Sequence, residues 1–431
     1  MILLKGGTIV NPEIRQKNVR CLSGAYDVLL DGDRVHSLFP AGDSYEIPPE
    51  CTVVDATGLF ICPGLVDVHS HFRDPGQTAK EDIHTGSLAA AAGGYTSIIM
   101  MANTKPPVDS PEILREVLKK AAREKIHVYA SACVTEGMQG KKMTNMSELS
   151  ELGAVGFTDD GVPVLDERIQ WEALRLSSRL KKPISVHEED PRWIKQSGVN
   201  AGAVAEAIGL QGADREAEVS MVERDLNILR QTGGILNLQH ISARESVNLI
   251  RQAKKKGLKV HAEATPHHFS LTEQAVLSAR TLAKMNPPLR TEEDRMAIIE
   301  GIADGTLDLI ATDHAPHTRE EKDRPFTEAP SGIIGLETAF ALAYTNLVLP
   351  GHVKLSRVIE CMSTNPSELY HLPGGLIKEG GTADLMLFDP QEEYCPTTFY
   401  SKAQNTPFAG YKLNGRVKMT IVGGEIVFDE R

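Results

Sequence analysis

Two histidines in the segment His69-Ser70-His71 are spaced so that they could bind one metal ion. In an extended strand, residues two apart point to the same face, so both imidazoles would approach a single cation. Zn²⁺ prefers nitrogen and oxygen ligands of this kind. A pair of buried histidines can have the same spacing without any metal. The motif therefore predicts a metal site only if further ligands join it.

Further candidate ligands end other apolar segments of the chain, namely Asp160, His187, His240 and Asp313. Without a shared role, their similar placement would need several independent coincidences. Two cations side by side repel each other, and a shared anion must offset that repulsion. The pair Asp159-Asp160 supplies candidates. Consecutive strand residues face opposite sides, so we assign Asp160 as the bridging ligand and expect Asp159 to orient backbone behind it.

The chemistry predicted for such a site is hydrolysis of an unactivated amide. Bound metals lower the pKa of water towards neutrality and polarise a carbonyl group. Asp313 could then act as the catalytic base, which accepts a proton from water and delivers it to the leaving nitrogen. The site residues therefore predict a metal-dependent amide hydrolase.

The elements that must hold these residues follow a repeating β/α pattern. Short apolar or β-branched runs alternate with amphipathic stretches such as 166–182 and 214–230, as in a parallel sheet covered by helices. The eight runs span residues 65–71, 95–101, 127–134, 153–160, 183–189, 234–242, 259–265 and 308–316. Eight such units predict an α/β fold, a (β/α)8 TIM barrel, which carries its active site at the C-terminal ends of the strands.

Both chain ends consist instead of short strands and turns, as in KGGTIV near the start and VKMTIVGGEIVF near the end. We expect them to form one small composite β-domain, with residues 1–60 and 380–431 on either side of a barrel domain of residues 61–379. The polar, proline-containing stretch 318–330 is a candidate for a mobile active-site loop.

Composition excludes several classes of protein. The chain has 431 residues, of which 41% are hydrophobic and 24% charged, as in ordinary globular proteins. A formal net charge of -12 disfavours binding to nucleic acid or to an anionic membrane. No long apolar segment or leader-like N-terminus is evident, so we expect a cytoplasmic protein. The six cysteines include no CxxC pair, and we expect reduced thiols.

Several motifs together resemble those of the bacterial class I dihydroorotases of the amidohydrolase superfamily. They are PGLVDVHSHFRDPG (63–76), MMANTKPP (100–107), GFTDDG (156–161), VHEED (186–190), QHIS (239–242), MNPPLR (285–290), ATDHAPHT (311–318) and GGTADLMLFDP (380–390). The resemblance covers nearly the whole chain. It implies reversible zinc-dependent hydrolysis of (S)-dihydroorotate to N-carbamoyl-L-aspartate, a step of pyrimidine (UMP) biosynthesis.

The resemblance also implies a role for each site residue. Residues that match the family's zinc ligands are His69, His71, Asp160, His187, His240 and Asp313. In this match Asp160 is the bridging ligand and Asp313 is also the catalytic base. The family binds one or two zinc ions per subunit, and we expect two here. Residues that match its substrate-holding positions are Arg73, Asn103, Asn286 and His317. An arginine suits a carboxylate, which it can bind through two parallel hydrogen bonds. APSGIIGLE (329–337) resembles the family's backbone contact to the ring, through Ser331 and Gly332, although many members carry an aromatic residue at position 331.

Two alternatives remain open. Hydantoinases, dihydropyrimidinases and allantoinases share the barrel and the two histidines, but they commonly bridge their metals with a carbamylated lysine where this chain has Thr158-Asp159-Asp160. A non-catalytic, dihydroorotase-like partner of aspartate transcarbamoylase would typically lack metal ligands, and this chain keeps every matched one. Beyond a small-molecule substrate, we expect a homodimer, and association with aspartate transcarbamoylase remains an option.

Overall fold

The computed structural model describes residues 1–12 and 23–431, in which sixteen strands form three sheets. The strands are β1 (Ile2–Ile9), β2 (Gly24–Asp31), β3 (Arg34–Pro40), β4 (Thr52–Asp55), β5 (Phe60–Pro63), β6 (Leu65–Ser70), β7 (Tyr95–Met100), β8 (His127–Ala130), β9 (Phe157–Thr158), β10 (Ile184–Val186), β11 (Leu236–Leu238), β12 (Val260–Ala264), β13 (Leu309–Ile310), β14 (Leu385–Tyr394), β15 (Leu413–Val422) and β16 (Glu425–Asp429). Strands β6 to β13 correspond, in order, to the eight predicted runs.

These eight strands are parallel and lie in two sheets, β6-β7-β8 and β13-β12-β11-β10-β9. β6 and β7 are buried along their whole length, as expected of strands covered on both faces. Isolated parallel bridges join the two sheets at both margins, from Ser70 to His314 and from Ala132 to Phe157. The predicted α/β class with parallel strands and covering helices is confirmed.

The strands are shorter than predicted. The run 234–242 is a strand only over Leu236–Leu238, and the run 308–316 only over Leu309–Ile310. Soon after each strand comes a residue with a positive backbone φ, 33° at His240 and 48° at Asp313. An extended strand needs negative φ, so the chain leaves the sheet there. The candidate ligands at these two positions therefore lie on turns just beyond the strands.

Fourteen α-helices lie in the described part of the chain, most of them between the parallel strands. They are α1 (Ile83–Ala92), α2 (Pro111–Ala121), α3 (Met146–Glu151), α4 (Glu167–Leu180), α5 (Ala203–Ala207), α6 (Glu216–Thr232), α7 (Arg244–Lys255), α8 (Pro266–Ser270), α9 (Ala275–Ala279), α10 (Glu292–Asp304), α11 (Arg319–Lys322), α12 (Leu336–Ala343), α13 (Leu355–Ile359) and α14 (Asn365–Tyr370). Local sequence explains several starts: Asp166 caps α4, and Thr291 and Asp294 form a reciprocal capping box on α10. The predicted amphipathic stretches 166–182 and 214–230 become α4 and α6.

Both chain ends contribute to the third sheet, whose strand order is β16-β15-β14-β5-β1-β2-β3, with β4 paired to β1. Apolar side chains from both ends share one core, including Leu4, Val28, Ile61, Leu385 and Ile421. Burial of this shared core stabilises the pairing of two segments that are far apart in the chain.

No helix among the described residues is long and apolar enough to cross a membrane. The cysteines at 51, 62, 133, 361 and 395 are free thiols, and Cys21 lies outside the described residues.

Candidate active site

The six predicted metal ligands converge at the C-terminal ends of the parallel strands. Two groups of ligand atoms are compact enough to hold an ion, one from His69, His71 and Asp160, the other from Asp160, His187 and His240. In each group the ligand atoms lie within 4.8 Å of one another. Asp160 belongs to both groups, the position that a carboxylate shared between two cations would occupy.

The Asp160 carboxylate lies among the imidazole nitrogens of four histidines, at distances of 3.4 to 3.8 Å. Its Oδ1 is 3.4 Å from Nε2 of His69, and its Oδ2 is 3.5 Å from Nε2 of His71. Oδ1 is also 3.8 Å from Nδ1 of His187 and from Nε2 of His240. Nε2 of His69 and Oδ1 of Asp160 are buried without a hydrogen-bond partner in the structure. Buried polar atoms are costly when unpaired, so this donor set fits a cation.

The opposite ring nitrogens of three of these histidines have partners that fix which nitrogen can bind a metal. A carbonyl or carboxylate oxygen can only accept a hydrogen bond, so the nitrogen facing it carries a hydrogen, and the opposite nitrogen is the one that could give a lone pair to a metal. The pairs, each 2.9 Å apart, are His69 Nδ1 with Glu263 Oε2, His71 Nδ1 with Asn103 Oδ1, and His187 Nε2 with Glu189 Oε2. The nitrogens left to bind a metal are those that face Asp160.

Asp159 points away from this cluster. Its Oδ1 accepts hydrogen bonds from the backbone N–H groups of Val134, at 2.8 Å, and Thr135, at 3.1 Å, and its Oδ2 accepts one from the Thr135 hydroxyl. Asp159 therefore ties the loop after β8 to the end of β9, while Asp160 faces the histidines.

Asp313 lies beside the first histidine pair. Its Oδ1 is 3.1 Å from Nε2 of His71 and 3.4 Å from Nε2 of His69. Burial alone would raise the pKa of the Asp313 carboxyl group, but His69 and His71 lower it far below its ordinary value. Burial would likewise raise the pKa of the Asp160 carboxyl group, but the neighbouring histidines lower it well below its ordinary value. Both carboxylates are therefore ionised at neutral pH.

A cavity of about 220 Å³ opens beside these residues. Its lining includes all the predicted substrate-binding residues, which are Arg73, Asn103, Asn286, His317, Ser331 and Gly332. Asn103 also contacts the ligand cluster, because its Nδ2 donates to Oδ2 of Asp160 at 3.1 Å while its Oδ1 accepts from His71. The structure thus brings the predicted ligands and the predicted substrate residues into one site.

Arg73 supplies positive charge to the cavity. Its Nε donates to the carbonyl oxygen of Pro316 at 3.3 Å, a bond that does not involve the terminal Nη groups. Burial lowers the pKa of the guanidinium, and Asp313 and Asp160 oppose that shift. Arginine stays protonated at any physiological pH, so the site has a fixed cation opposite its carboxylates.

His317 and Ser331 hold each other in place on another wall of the cavity. Nε2 of His317 lies 2.8 Å from the carbonyl oxygen of Ser331, and its Nδ1 lies 3.4 Å from Nζ of Lys80. Burial, reinforced by the charges of Arg73 and Lys80, lowers the His317 pKa to about 2, so its ring is neutral. The Ser331 hydroxyl donates to Oδ1 of Asn286 at 3.1 Å.

Sequence comparisons identify the group of proteins to which this site belongs. Residues 60–427 match the model of the amidohydrolase family. The chain is 46% identical over its full length to a dihydroorotase from Clostridium acetobutylicum, and 48% identical over its full length to one from Clostridioides difficile, and in both cases the relative is covered completely. This chain is a member of the amidohydrolase family, within its dihydroorotase group.

Solved structures of a hydantoinase and a dihydropyrimidinase share the fold. An L-hydantoinase (dihydropyrimidinase) from Arthrobacter aurescens superposes with a TM-score of 0.88 at 24% identity. The superposition covers 100% of this chain and 96% of the hydantoinase chain. A dihydropyrimidinase from Brevibacillus agri gives a TM-score of 0.84 at 22% identity, with 99% of this chain and 95% of that one covered. At these identities the likeness establishes the fold alone.

Two site residues of this dihydroorotase-group chain were not assigned from sequence. Glu263 and Glu189 face ligand histidines, although both lie in segments recognised as strand ends. An acidic residue within a run expected to be buried on both faces is the signal that could have indicated them, because a buried carboxylate needs a partner. The predicted loop 318–330 contains α11, and its mobility stays a prediction.

Proposed function

We propose that this protein is a zinc-dependent dihydroorotase, which reversibly hydrolyses (S)-dihydroorotate to N-carbamoyl-L-aspartate in pyrimidine biosynthesis. Full-length identity of 46–48% to curated dihydroorotases carries the assignment. The site is consistent with it, because Asp160 stands where a shared metal ligand is needed and Arg73 stands beside the cavity, suited to a substrate carboxylate.

The alternative reactions fit the site less well. Hydantoin and unsubstituted dihydropyrimidines carry no carboxylate, so they would leave the half-buried Arg73 guanidinium without an anionic ligand. The shared fold with hydantoinases does not favour their reaction, since those structures are at most 24% identical to this chain. A non-catalytic partner of aspartate transcarbamoylase would have no need of six converging ligand residues.

The metal centre that we propose holds two zinc ions. One would be bound by His69 and His71, the other by His187 and His240, with Asp160 between them and Asp313 beside the first pair. When bound, zinc would lower the pKa of water and polarise the ring carbonyl. The unpaired atoms Nε2 of His69 and Oδ1 of Asp160 support this arrangement.

The protein's own side chains account for orientation and proton transfer. Arg73 would bind the substrate carboxylate, with Asn103 and Asn286 beside it and His317, Ser331 and Gly332 along the ring. Asp313 is ionised, so it can accept a proton from the attacking water and then donate it to the ring nitrogen as the amide bond breaks. The reverse reaction uses the same group, because ring closure passes through the same transition state.

We also propose that the eight parallel strands form a closed (β/α)8 barrel within residues 61–379, and that residues 1–60 and 380–431 form the composite β-domain. The bridges Ser70–His314 and Ala132–Phe157 support closure at both sheet margins. The shared core of the terminal sheet supports the second domain.

The assembly state that we propose is a cytoplasmic homodimer, with aspartate transcarbamoylase as an optional partner. Free cysteines suit a reducing compartment. Light scattering on the purified protein, alone and mixed with aspartate transcarbamoylase, measures both associations.

A substrate panel tests the proposed function. Metal-stripped and zinc-restored protein would be assayed with dihydroorotate and N-carbamoyl-L-aspartate, and in parallel with hydantoin, dihydrouracil and allantoin, with metal content measured on the same samples. We expect zinc-dependent turnover of the first pair alone. Turnover of another ring in place of dihydroorotate would overturn the substrate, and bound zinc without any turnover would favour a non-catalytic partner.

A further inference from the structure

The carbonyl oxygen of Gly332 is held by two buried side chains that come from different parts of the chain. Nζ of Lys322 donates to it at 3.0 Å, and Nδ2 of Asn405 donates to it at 3.1 Å. The N–H group of Gly332 is also engaged, since it donates to the carbonyl oxygen of Lys284 at 2.9 Å. Both polar backbone groups of this cavity-lining residue therefore bond within the protein.

Lys322 is an unusual residue to find in this position, because only 3% of it is exposed. Besides Gly332, its ammonium group donates to the carbonyl oxygen of Pro330 at 2.9 Å. Burial, and then the nearby charge of Lys284, lower the Lys322 pKa to about 7. A buried amine is costly, and an apolar side chain would fill the space without that cost. Its two carbonyl contacts, on either side of Ser331, give this lysine a geometric role.

Asn405 lies between β14 and β15, outside the parallel strands, and is equally buried. Its Oδ1 accepts from the backbone N–H of His317 at 3.1 Å. Its Nδ2 donates to the carbonyl oxygens of Ala315 and Gly332, each at 3.1 Å. One amide thus joins the segment that follows Asp313 to the segment that contains Ser331.

The segment that follows Asp313 and the segment that contains Ser331 are in close contact at Gly332. Gly332 has a φ of 116°, a conformation that side chains disfavour, and a Cβ atom there would lie 2.6 Å from Cβ of Ala315. His317 bonds across the same gap, through Nε2, to the carbonyl oxygen of Ser331. The positions of His317, Ser331 and Gly332 therefore depend on one another.

We propose that Lys322 and Asn405 are positioning residues, which clamp the Gly332 carbonyl from two sides and so set the wall of the cavity formed by His317, Ser331 and Gly332. This inference rests on the proposed function, because it takes dihydroorotate as the substrate whose ring this wall would face. Neither residue lines the cavity, and neither is a predicted metal ligand. The clamp therefore governs how tightly substrate binds and leaves metal binding and proton transfer unchanged.

Three variants of the full-length, zinc-loaded protein test the clamp. Asn405→Asp keeps the acceptor for His317 but places an oxygen against two carbonyl oxygens. Lys322→Met removes both lysine contacts at similar length, and Lys322→Arg retains donors and is the conservative rescue. Lys255→Met, at an exposed site at the end of α7, is the matched control.

We expect Asn405→Asp and Lys322→Met to raise KM for dihydroorotate by about tenfold to 100-fold, with kcat within about threefold of the parent protein and zinc content unchanged. Lys322→Arg should recover part of the loss, and Lys255→Met should match the parent. A folded variant with unchanged KM would overturn the proposal, and so would a fall in kcat at constant KM. A merely structural role would lower thermal stability without changing KM.

Hydrogen exchange separates a failure of the clamp from a failure of the proposed function. In both clamp variants we expect faster exchange in peptides covering residues 315–318 and 326–335 than in the parent, a result that needs no substrate. If the parent protein opens another ring, the kinetic comparison is made with that ring. Unchanged exchange in both variants contradicts the clamp whatever the substrate proves to be.

Discussion

Nδ1 of His69 lies 2.9 Å from Oε2 of Glu263, and both side chains are fully buried. The carboxylate can only accept a hydrogen bond, so Nδ1 carries a hydrogen and Nε2, which faces Asp160, is the nitrogen left to bind a metal. The other carboxylate oxygen accepts from Nδ2 of Asn237 at 2.7 Å, which fixes the carboxylate itself. Glu263 therefore orients the imidazole of His69, a predicted metal ligand.

Replacing Glu263 by Gln should weaken zinc binding. Both oxygens of Glu263 accept hydrogen bonds, from His69 and from Asn237, whereas the Gln side chain has one acceptor oxygen and one NH2 donor. Loss of such an outer partner typically costs 10–100-fold in metal affinity, and we expect a loss of about tenfold here. Competition with a chelator of known affinity measures it. Glu300→Gln, at an exposed position on α10, is the control. Equal zinc affinity in both variants would rule out the orienting role.

Replacing Asp313 by Asn should nearly abolish turnover while zinc binding is largely kept. The amide cannot accept the proton, and general acid–base catalysis typically contributes roughly 10²–10⁴-fold. The amide oxygen can still face His71 and His69. Steady-state rates in both directions and zinc content on the same sample measure the two effects. Full activity in this variant would show that Asp313 is not the base.

Replacing Arg73 by Met should weaken binding of substrates that carry a carboxylate. A charge-assisted pair contributes about 1.5–3 kcal/mol, so we expect KM for dihydroorotate to rise by about 10- to 100-fold. Dihydrouracil, which lacks the carboxylate, is the internal control. Any residual activity of the parent on dihydrouracil should persist in the variant. An equal loss on both rings would instead indicate that Arg73 acts through the fold of the site.

The sequence was sufficient to predict the parallel strands and the convergence of the ligand residues. Period and spacing determine which side chains reach the strand ends, and Asp160 and Asp159 could be distinguished by alternation alone. Strand ends were predicted too long, because left-handed backbone at His240 and Asp313 depends on packing that local patterns do not encode.

The partners behind the site could not be predicted because they come from distant parts of the chain. Glu263 is 194 residues from His69, and Asn405 is 88 residues from His317. No periodic pattern relates such positions, and only the folded sheets bring them together. The role of Lys322 was hidden for a different reason, since a lysine in a polar loop is expected to be solvated.

Asp308 provides a stability test that does not involve the active site. Its carboxylate is 2.8 Å from both Nζ of Lys254 and Nδ1 of His261. Burial would raise its pKa, but His261 and Lys254 lower the value from 3.8 to about 2. A lowered pKa in the folded state stabilises the fold above the unfolded pKa, and this contribution is lost as the pH falls from about 4 to 2.

We expect Asp308→Asn to reduce the free energy of unfolding by about 2 kcal/mol at pH 7, a difference that shrinks below pH 4. Urea unfolding between pH 7 and pH 3 measures it, with Glu300→Gln again as the control. A constant difference across that range would mean that the carboxylate acts through shape and hydrogen bonding, with no contribution from its charge.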